Sequence, residues 1–243
     1  MSATDGFDIA GLCAHPDDAE LVMGGTLAAQ AARGRRIALV DLTRGEAGSR
    51  GTPAIRETEA AEAARVLGVL HRESLSLPDG GLANTTEQKD PIVEAIRRLR
   101  PALVILPHWE QRHPDHRSAS HLVYDAAFLA GLKNYKPALG AAFRPRKLLY
   151  ALPVTDNAEI TPSVVIDITS FWETKRKAIA AFGSQFKPGA GEAAPLPLDR
   201  FHAAVELHAR RQGQRIGVAY GEGFVTKEPF SVDDLLALTV SSF

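Results

Sequence analysis

Short apolar runs alternate with helical patterns along most of the chain, and this alternation constrains the fold more than any other feature. The clearest runs, apolar on both faces of a strand, are residues 9–14, 37–40 and 102–106. Weaker strand candidates are residues 70–75, 147–152 and 164–168. Continuous apolar strands suit a parallel sheet that is covered on both sides. The pattern therefore predicts an α/β fold: a Rossmann-like, mostly parallel, twisted sheet with helices on both faces.

Helix start and stop signals lie between the apolar runs. A first helix is predicted from about residue 20 to residue 33, because Gly34 suits the position that follows a helix. Thr52-Pro53 and Asp90-Pro91 each place a capping side chain before a proline, which is typical of a helix start. Three more helices are predicted at about residues 115–129, 171–182 and 200–212.

The 243 residues fit one large domain or two small ones. We expect a single domain over residues 1–243. Residues 1–150 form its Rossmann-like core, and residues 151–243 form an α+β appendage that completes the site. A Gly/Pro-rich loop is predicted at residues 187–197.

Charge and composition exclude several classes of protein. Lys and Arg number 28 against 29 Asp and Glu, a net charge of −1, whereas nucleic-acid binders usually carry a basic excess. No window approaches the ~20 apolar residues of a membrane span, and the N-terminus lacks the pattern of a signal peptide. The single cysteine, Cys13, excludes an internal disulfide framework. We therefore expect a cytoplasmic enzyme or small-molecule-binding protein.

Two clusters of histidine and carboxylate residues follow predicted strands. Residues 14–20 are Ala-His-Pro-Asp-Asp-Ala-Glu, and residues 112–116 are Arg-His-Pro-Asp-His. In an open α/β sheet, such loops lie at the carboxyl ends of the strands, where ligands bind. Each cluster alone is explained as a helix cap or a solvated pair, but two of them at two strand ends favour a metal site.

Three residues of these clusters form a typical catalytic zinc ligand set of two histidines and one carboxylate: His15, Asp18 and His116. Asp17 then remains as a general base beside the metal. His113 can stabilise an oxyanion or protonate a leaving amine, and Asp115 is a candidate to orient an imidazole.

The two clusters resemble the PIG-L/LmbE-like N-acetylglucosaminyl deacetylases, whose hallmark is A-H-P-D-D-x-E followed by H-P-D-H. The resemblance implies a zinc-dependent hydrolase with one Zn²⁺ per chain. It places the zinc on His15, Asp18 and His116, the general base at Asp17, and the oxyanion and amine helper at His113. Further similar stretches are residues 42–46, 56–61, 77–80, 184–186 and 217–224.

The last two stretches are most similar to the bacillithiol-biosynthesis deacetylase subgroup. That likeness implies N-acetylglucosaminyl-malate as the small-molecule substrate, with acetate as a product. It also implies a homo-oligomer, a trimer or hexamer, because family members often assemble in this way. Neither a nucleic acid nor a membrane is expected as a partner.

Five further residues are candidates to bind substrate: Arg56, Arg112, Glu46, Asp79 and Gln185. Arg56 is the strongest of these candidates. It is a cation in the first turn of a helix, where the helix dipole disfavours positive charge, and it lies on the core-facing stripe, so an anion partner is expected. Malate carboxylates would supply that anion; the alternative is a structural ion pair with Glu46 or Glu59. Asp79 also suits a simple turn.

Two rival functions remain open. The first keeps the chemistry but changes the substrate to an inositol conjugate, an antibiotic sugar or a chitooligosaccharide. The second is a non-catalytic Rossmann-like module that binds a sugar or nucleotide without metal.

Overall fold

The computed structural model describes residues 6–154, 160–186, 198–237 and 239. The strands are β1 (Ile9–Cys13), β2 (Ile37–Asp41), β3 (His71–Ser74), β4 (Leu103–Pro107), β5 (Lys147–Ala151), β6 (Val164–Asp167) and β7 (Gly221–Val225). The helices are α1 (Asp18–Ala32), α2 (Pro53–Leu67), α3 (Thr86–Leu99), α4 (Pro114–Ala130), α5 (Trp172–Ala181), α6 (Gly183–Phe186) and α7 (Leu198–Gln214). The loop predicted at residues 187–197 lies outside the described residues.

One sheet contains these strands in the order β3-β2-β1-β4-β5-β7-β6. The first five are parallel to one another, while β7 is antiparallel to both β5 and β6. The predicted α/β class and its mostly parallel sheet are confirmed. Strand β7 was not predicted, because Gly221 and Gly223 interrupt the apolar pattern there.

The central strands are buried on both faces, as their sequences predict. Helices α3 and α4 cover one face, where residues such as Ile92, Val104 and Leu122 form a core. Helices α1, α2 and α5 cover the other, where Met23, Ile37 and Phe182 pack together. Among the described residues, no helix combines the length and apolar character needed to span a bilayer.

The two threonine caps show how local sequence sets the helix starts. The Oγ1 atom of Thr52 accepts a hydrogen bond from the amide of Ile55, so α2 starts at Pro53 as predicted. The predicted start of α3 at Asp90-Pro91 is wrong. The helix begins one turn earlier, where Thr85 accepts from the amide of Gln88, and Pro91 lies inside it. Proline has a helical φ and lacks only one hydrogen-bond donor, so a stronger cap upstream overrides it.

A buried ion pair holds the middle of α1 against the C-terminal part of the chain. Lys175 Nζ lies 2.6 Å from Glu222 Oε1, and both side chains are fully enclosed. The Glu222 carboxylate accepts the amides of Gly25 and Thr26, while Lys175 donates to the carbonyl of Leu21. These bonds tie α5 and β7 to the helix that begins at Asp18.

Candidate metal centre

The two predicted clusters meet at the point where the strand order reverses. Strands β1 and β4 are neighbours, with Ile9 paired to Leu103, and the clusters follow their carboxyl ends. Asp17 and Asp18 begin α1, while His113 is the N-cap of α4. Ligands of doubly wound sheets bind at such a switch point, because the loops of two neighbouring strands diverge there.

Three side chains converge at spacings that suit a tetrahedral metal ion. His15 Nδ1 lies 3.3 Å from His116 Nε2. Asp18 places one oxygen 3.5 Å from His15 Nδ1 and the other 3.2 Å from His116 Nε2. Zinc–ligand bonds of 2.0–2.1 Å put tetrahedral ligand atoms about 3.3 Å apart. The donor types and their spacing therefore fit zinc.

The electrostatics of the cluster favour a bound cation. Burial alone would lower the pKa of His15, but the hydrogen bond to Asp18 and the charges of nearby carboxylates raise it to about 9. The pKa of His116 is raised in the same way against burial, by Asp18. Burial opposes ionisation of Asp18, yet His116 and His15 hold its pKa well below the usual range. Carboxylates that draw protons onto imidazoles will also attract a divalent metal.

A second set of possible donors shares His15 but uses its other nitrogen. His15 Nε2 lies 3.0 Å from Asp79 Oδ1 and 3.3 Å from Asp115 Oδ2, and the three ligand atoms are close enough to hold an ion. Asp115 already accepts the amides of Gly80 and Leu82, and Asp79 accepts that of Ala47. Asp18 likewise accepts the amide of His15 through Oδ2. Asp79 and Asp115 contact the His15 ring from its Nε2 side, which is where carboxylates that orient a ligating imidazole lie.

The ring of His113 lies against the other two histidines. Its centroid is 4.7 Å from that of His116 and 4.9 Å from that of His15, and the three rings form another possible ligand group. His113 Nδ1 accepts the amide of Asp115, which leaves Nε2 as the nitrogen that bears the proton in the neutral ring. Burial and the charges of His116 and His15 lower its pKa and favour that neutral form.

Asp17 directly precedes Asp18 and lies beside the histidine–carboxylate cluster. Its backbone has φ 114°, a strained value for a residue with a side chain. Burial raises the pKa of Asp17 to about 7, although the nearby Arg56 opposes the shift. Arg56 Nη2 lies 3.3 Å from Asp17 Oδ2.

Arg56 is turned inward, and its described contacts are with the site itself. The guanidinium donates to the carbonyls of Pro16 and Gly45 as well as pairing with Asp17. Its ion pair is therefore with Asp17, where sequence reasoning weighed Glu46 and Glu59. The predicted contact with a substrate anion stays a prediction, and these bonds give Arg56 a role in holding Asp17.

The remaining predicted substrate residues lie around the site in different ways. Glu46 accepts the amides of Asp79 and Arg44, so it joins the loops after β2 and β3. Gln185 lies in α6 and donates to the carbonyl of Arg50. Arg112 is exposed immediately before His113. Their substrate roles stay predictions.

The contact of Asp79 with His15 is the site feature that sequence reasoning missed. Asp79 was predicted to bind substrate or to form a turn. Asp79 follows β3, which is parallel to β2 and ends at the same edge of the sheet as β1 and β4. That position could have indicated from the sequence that Asp79 lies near the two clusters.

The fold is a doubly wound α/β sheet, and a histidine–carboxylate cluster lies at its switch point. These two features are typical of metal-dependent hydrolases, and comparisons with known proteins identify the family. The sequence matches the PIG-L family, GlcNAc-PI de-N-acetylase, over residues 11–127. It is 32% identical to diacetylchitobiose deacetylase of Thermococcus kodakarensis over 183 residues, covering 71% of this chain and 67% of the relative. The chain belongs to the PIG-L family and is a deacetylase, a hydrolase of an amide C–N bond.

Two further similarities extend the comparison. The chain is 27% identical to 1D-myo-inositol 2-acetamido-2-deoxy-alpha-D-glucopyranoside deacetylase 1 of Catenulispora acidiphila, covering 73% of this chain and 75% of the relative. The conserved protein TT1542 of Thermus thermophilus has a similar structure, with a TM-score of 0.84 and 39% identity. That match covers 94% of this chain and 98% of the other. These relatives do not single out the bacillithiol subgroup, so that finer assignment stays a prediction.

Proposed function

We propose that the protein is a zinc-dependent deacetylase that removes the acetyl group from an N-acetylglucosamine conjugate. The observation that carries the proposal is the 3.2–3.5 Å spacing of His15, Asp18 and His116 with Asp17 beside them. Zinc held by these three residues would polarise a carbonyl and lower the pKa of water toward about 7. The overall reaction consumes one water and yields acetate and a free amine.

The chain's own residues divide the proton transfers between them. The Asp17 carboxylate accepts a proton from the attacking water, because its raised pKa makes it a stronger base than an exposed aspartate. His113 Nε2 donates a hydrogen bond to the oxyanion that develops from the amide carbonyl. The leaving nitrogen takes up the proton that Asp17 received, and the amine departs.

Several other side chains hold these groups in place. Asp79 and Asp115 fix the ring of His15, and Arg56 fixes the Asp17 carboxylate. Positioning of this kind speeds the reaction, because the catalytic side chains have already lost their rotational freedom before the reaction starts.

A neutral sugar or cyclitol as the group attached to N-acetylglucosamine has better support than malate. Two relatives, by their names, act on diacetylchitobiose and on an inositol glycoside. Malate is implied by the resemblance of residues 184–186 and 217–224 to the bacillithiol subgroup, with Arg56 and Arg112 as supporting cations. Of these two cations, Arg56 is engaged with Asp17. Malate would then depend on Arg112 at the surface.

The deciding experiment is a substrate panel assayed with zinc-loaded protein. Diacetylchitobiose, N-acetylglucosaminyl-inositol and N-acetylglucosaminyl-malate are compared by kcat/KM from both amine and acetate release. We expect turnover of the two neutral conjugates to exceed that of the malate conjugate. A preference for the malate conjugate would instead support the bacillithiol subgroup.

Asp17→Asn tests whether Asp17 is the general base, because it removes the carboxylate and keeps nearly the same shape. General-base catalysis contributes about 10²–10⁴-fold, so kcat is expected to fall by at least about 10²-fold while zinc content is retained. Full turnover by Asp17→Asn would contradict the base assignment. Binding of a sugar with no product from any substrate, unaffected by a chelator, would favour the non-catalytic module.

A further inference from the structure

The side-chain amide of Gln111 connects a proposed metal ligand to the end of strand β4. Gln111 lies in the loop between β4 and α4, five residues before His116. Its Oε1 atom lies 2.8 Å from His116 Nδ1, while Asp18 and His15 contact the other ring nitrogen, Nε2. The Nε2 atom of Gln111 donates to the carbonyl of His108, 3.2 Å away. The amide therefore bridges the backbone after β4 and the ring of His116.

The two contacts fix which way the amide faces. A backbone carbonyl can only accept hydrogen bonds, so the NH₂ group of Gln111 must face His108. The amide oxygen then faces His116, and because that oxygen also only accepts, His116 Nδ1 must carry a proton. In the neutral ring the lone pair is left on Nε2, the nitrogen that lies 3.2 Å from Asp18 and 3.3 Å from His15 Nδ1.

The backbone that carries Gln111 is itself held from two sides. Arg117 Nη1 donates to the carbonyls of Gln111 and Arg112, at 2.8 and 3.0 Å. The amide of His108 donates to the carbonyl of Ala151 on β5, and His108 is 1% exposed. A group that orients a metal ligand needs a firm support of this kind, because any movement of the support is passed on to the ligand.

The two proposed histidine ligands differ in the partners that orient them. The carboxylates of Asp79 and Asp115 lie against His15 Nε2, whereas a neutral amide lies against His116 Nδ1. A metal ligand must offer a deprotonated nitrogen, and the partner on the opposite nitrogen selects which one that is. We propose that Gln111 is a positioning residue that orients the His116 ring and reserves its Nε2 atom for the zinc ion. This inference rests on the proposed zinc-dependent function.

The zinc affinity of Gln111 variants tests the proposal. Gln111→Met has nearly the same length but no amide oxygen, so its Kd for zinc, measured by competition with a chelating dye, should rise about 10- to 100-fold. Gln111→Glu keeps an acceptor beside the ring and should bind zinc at least as tightly as the wild type, because a carboxylate partner makes the imidazole more basic. Gln214→Met is the matched control, because Gln214 is exposed at the end of α7. Thermal unfolding without zinc checks that each variant is folded.

The proton on His116 gives a readout that is separate from both affinity and activity. Long-range proton–nitrogen NMR spectra of the zinc-loaded full chain distinguish a ring that carries its proton on Nδ1 from one that carries it on Nε2, and His116→Gln assigns the signal. The wild type should show the proton on Nδ1. In Gln111→Met the exchange of this proton with water should become about three- to tenfold faster, because its hydrogen bond is lost.

Two results would overturn the inference and leave the zinc enzyme intact. One is a Gln111→Met variant with the zinc Kd and the Nδ1 proton signal of the wild type. The other is a Gln111→Glu variant that loses as much zinc affinity as Gln111→Met, because the acceptor would then not be the cause. A wild type that binds no zinc would overturn the proposed function together with this inference.

Discussion

At the scale of single residues, Arg56 links the backbone of two loops to Asp17, the proposed general base. It bonds to the carbonyls of Pro16 and Gly45 and pairs with Asp17. Arginine is suited to this task because its planar fork of donors serves several acceptors at once. Its effect on the reaction should therefore pass through the position of the Asp17 carboxylate.

A comparison of kinetic constants tests that role. In Arg56→Met we expect kcat to fall about 10- to 100-fold with little change in KM, because a misplaced base affects the transition state more than substrate binding. Arg56→Lys should recover part of the loss. Arg65→Met, at an exposed position on the same helix, serves as the matched control. If Arg56→Met instead raised KM only for acidic substrates and kept kcat, Arg56 would be a substrate-binding residue.

His208 provides a test of pH-dependent stability away from the site. Burial lowers its pKa to about 4, and the charges of Lys175 and Arg211 act in the same direction. Below about pH 6.5 the unfolded chain takes up this proton while the folded chain does not, so the free energy of unfolding falls as the pH drops toward 4. The expected loss is about 2–3 kcal/mol.

Urea unfolding between pH 7 and pH 4 measures this loss. In His208→Gln the part of the loss due to this residue should disappear, whereas the exposed His202→Gln should retain it. Identical pH profiles for wild type and His208→Gln would contradict the assignment.

At the residue scale, the site residues that the sequence predicts best are those that lie close together in one short motif. His15, Asp17 and Asp18 come from one short loop, and His116 from another, so the topology alone brings them together. The contact of Asp79 with His15 joins residues 64 positions apart, and its direction depends on loop conformation. Arg56 was predicted to face inward, but the identity of its partner depended on the unusual backbone of Asp17.

At the scale of elements, α1 contains two adjacent glycines that differ in their surroundings. A Cβ atom on Gly25 would lie 2.8 Å from the side chain of Ile168, while one on Gly24 would have its nearest contact at 3.6 Å. Of the two, Gly25 is therefore the one needed for the close approach of α1 to the segment after β6. The same approach brings Glu222 to the amides of Gly25 and Thr26.

The two alanine substitutions should have different effects on stability. Gly25→Ala is expected to lower the free energy of unfolding by about 1–3 kcal/mol through overpacking. Gly24→Ala is expected to be neutral or to raise it by up to about 1 kcal/mol, because glycine loses more conformational freedom than alanine when the helix forms. Denaturant unfolding of both variants measures the difference, and equal effects would contradict the packing argument.

The elements were predictable in proportion to the strength of their local patterns. Strands β1, β2 and β4 are continuous apolar runs and were found almost to the residue. Strand β7 contains two glycines, and it is fixed by its antiparallel neighbours and by Glu222 rather than by its own propensity. Helix α3 begins before the predicted proline because a cap at Thr85 lies upstream.

At the scale of the whole molecule, metal binding should raise the free energy of unfolding and the Tm. A ligand that binds only the folded state at 100 times its Kd adds about 2.7 kcal/mol. For a chain of this size that raises Tm by about 5–10 °C. Zinc added to chelator-treated protein should produce this shift in a calorimetric scan.

Matched histidine variants identify the side chains responsible for the shift. His116→Ala removes a proposed ligand, so its Tm should respond weakly to zinc. His121→Ala changes an exposed histidine on the same helix and should respond like wild type. A full zinc response in His116→Ala would exclude His116 from the ligand set.

The left-handed backbone at Asp17 has a consequence for the stability of the chain. Glycine tolerates that conformation freely, whereas aspartate at φ 114° costs about 1–3 kcal/mol. A side chain at this position therefore lowers the free energy of unfolding relative to glycine. Under the proposed role of Asp17 as general base, activity depends on that side chain, so the chain gives up part of its stability for turnover.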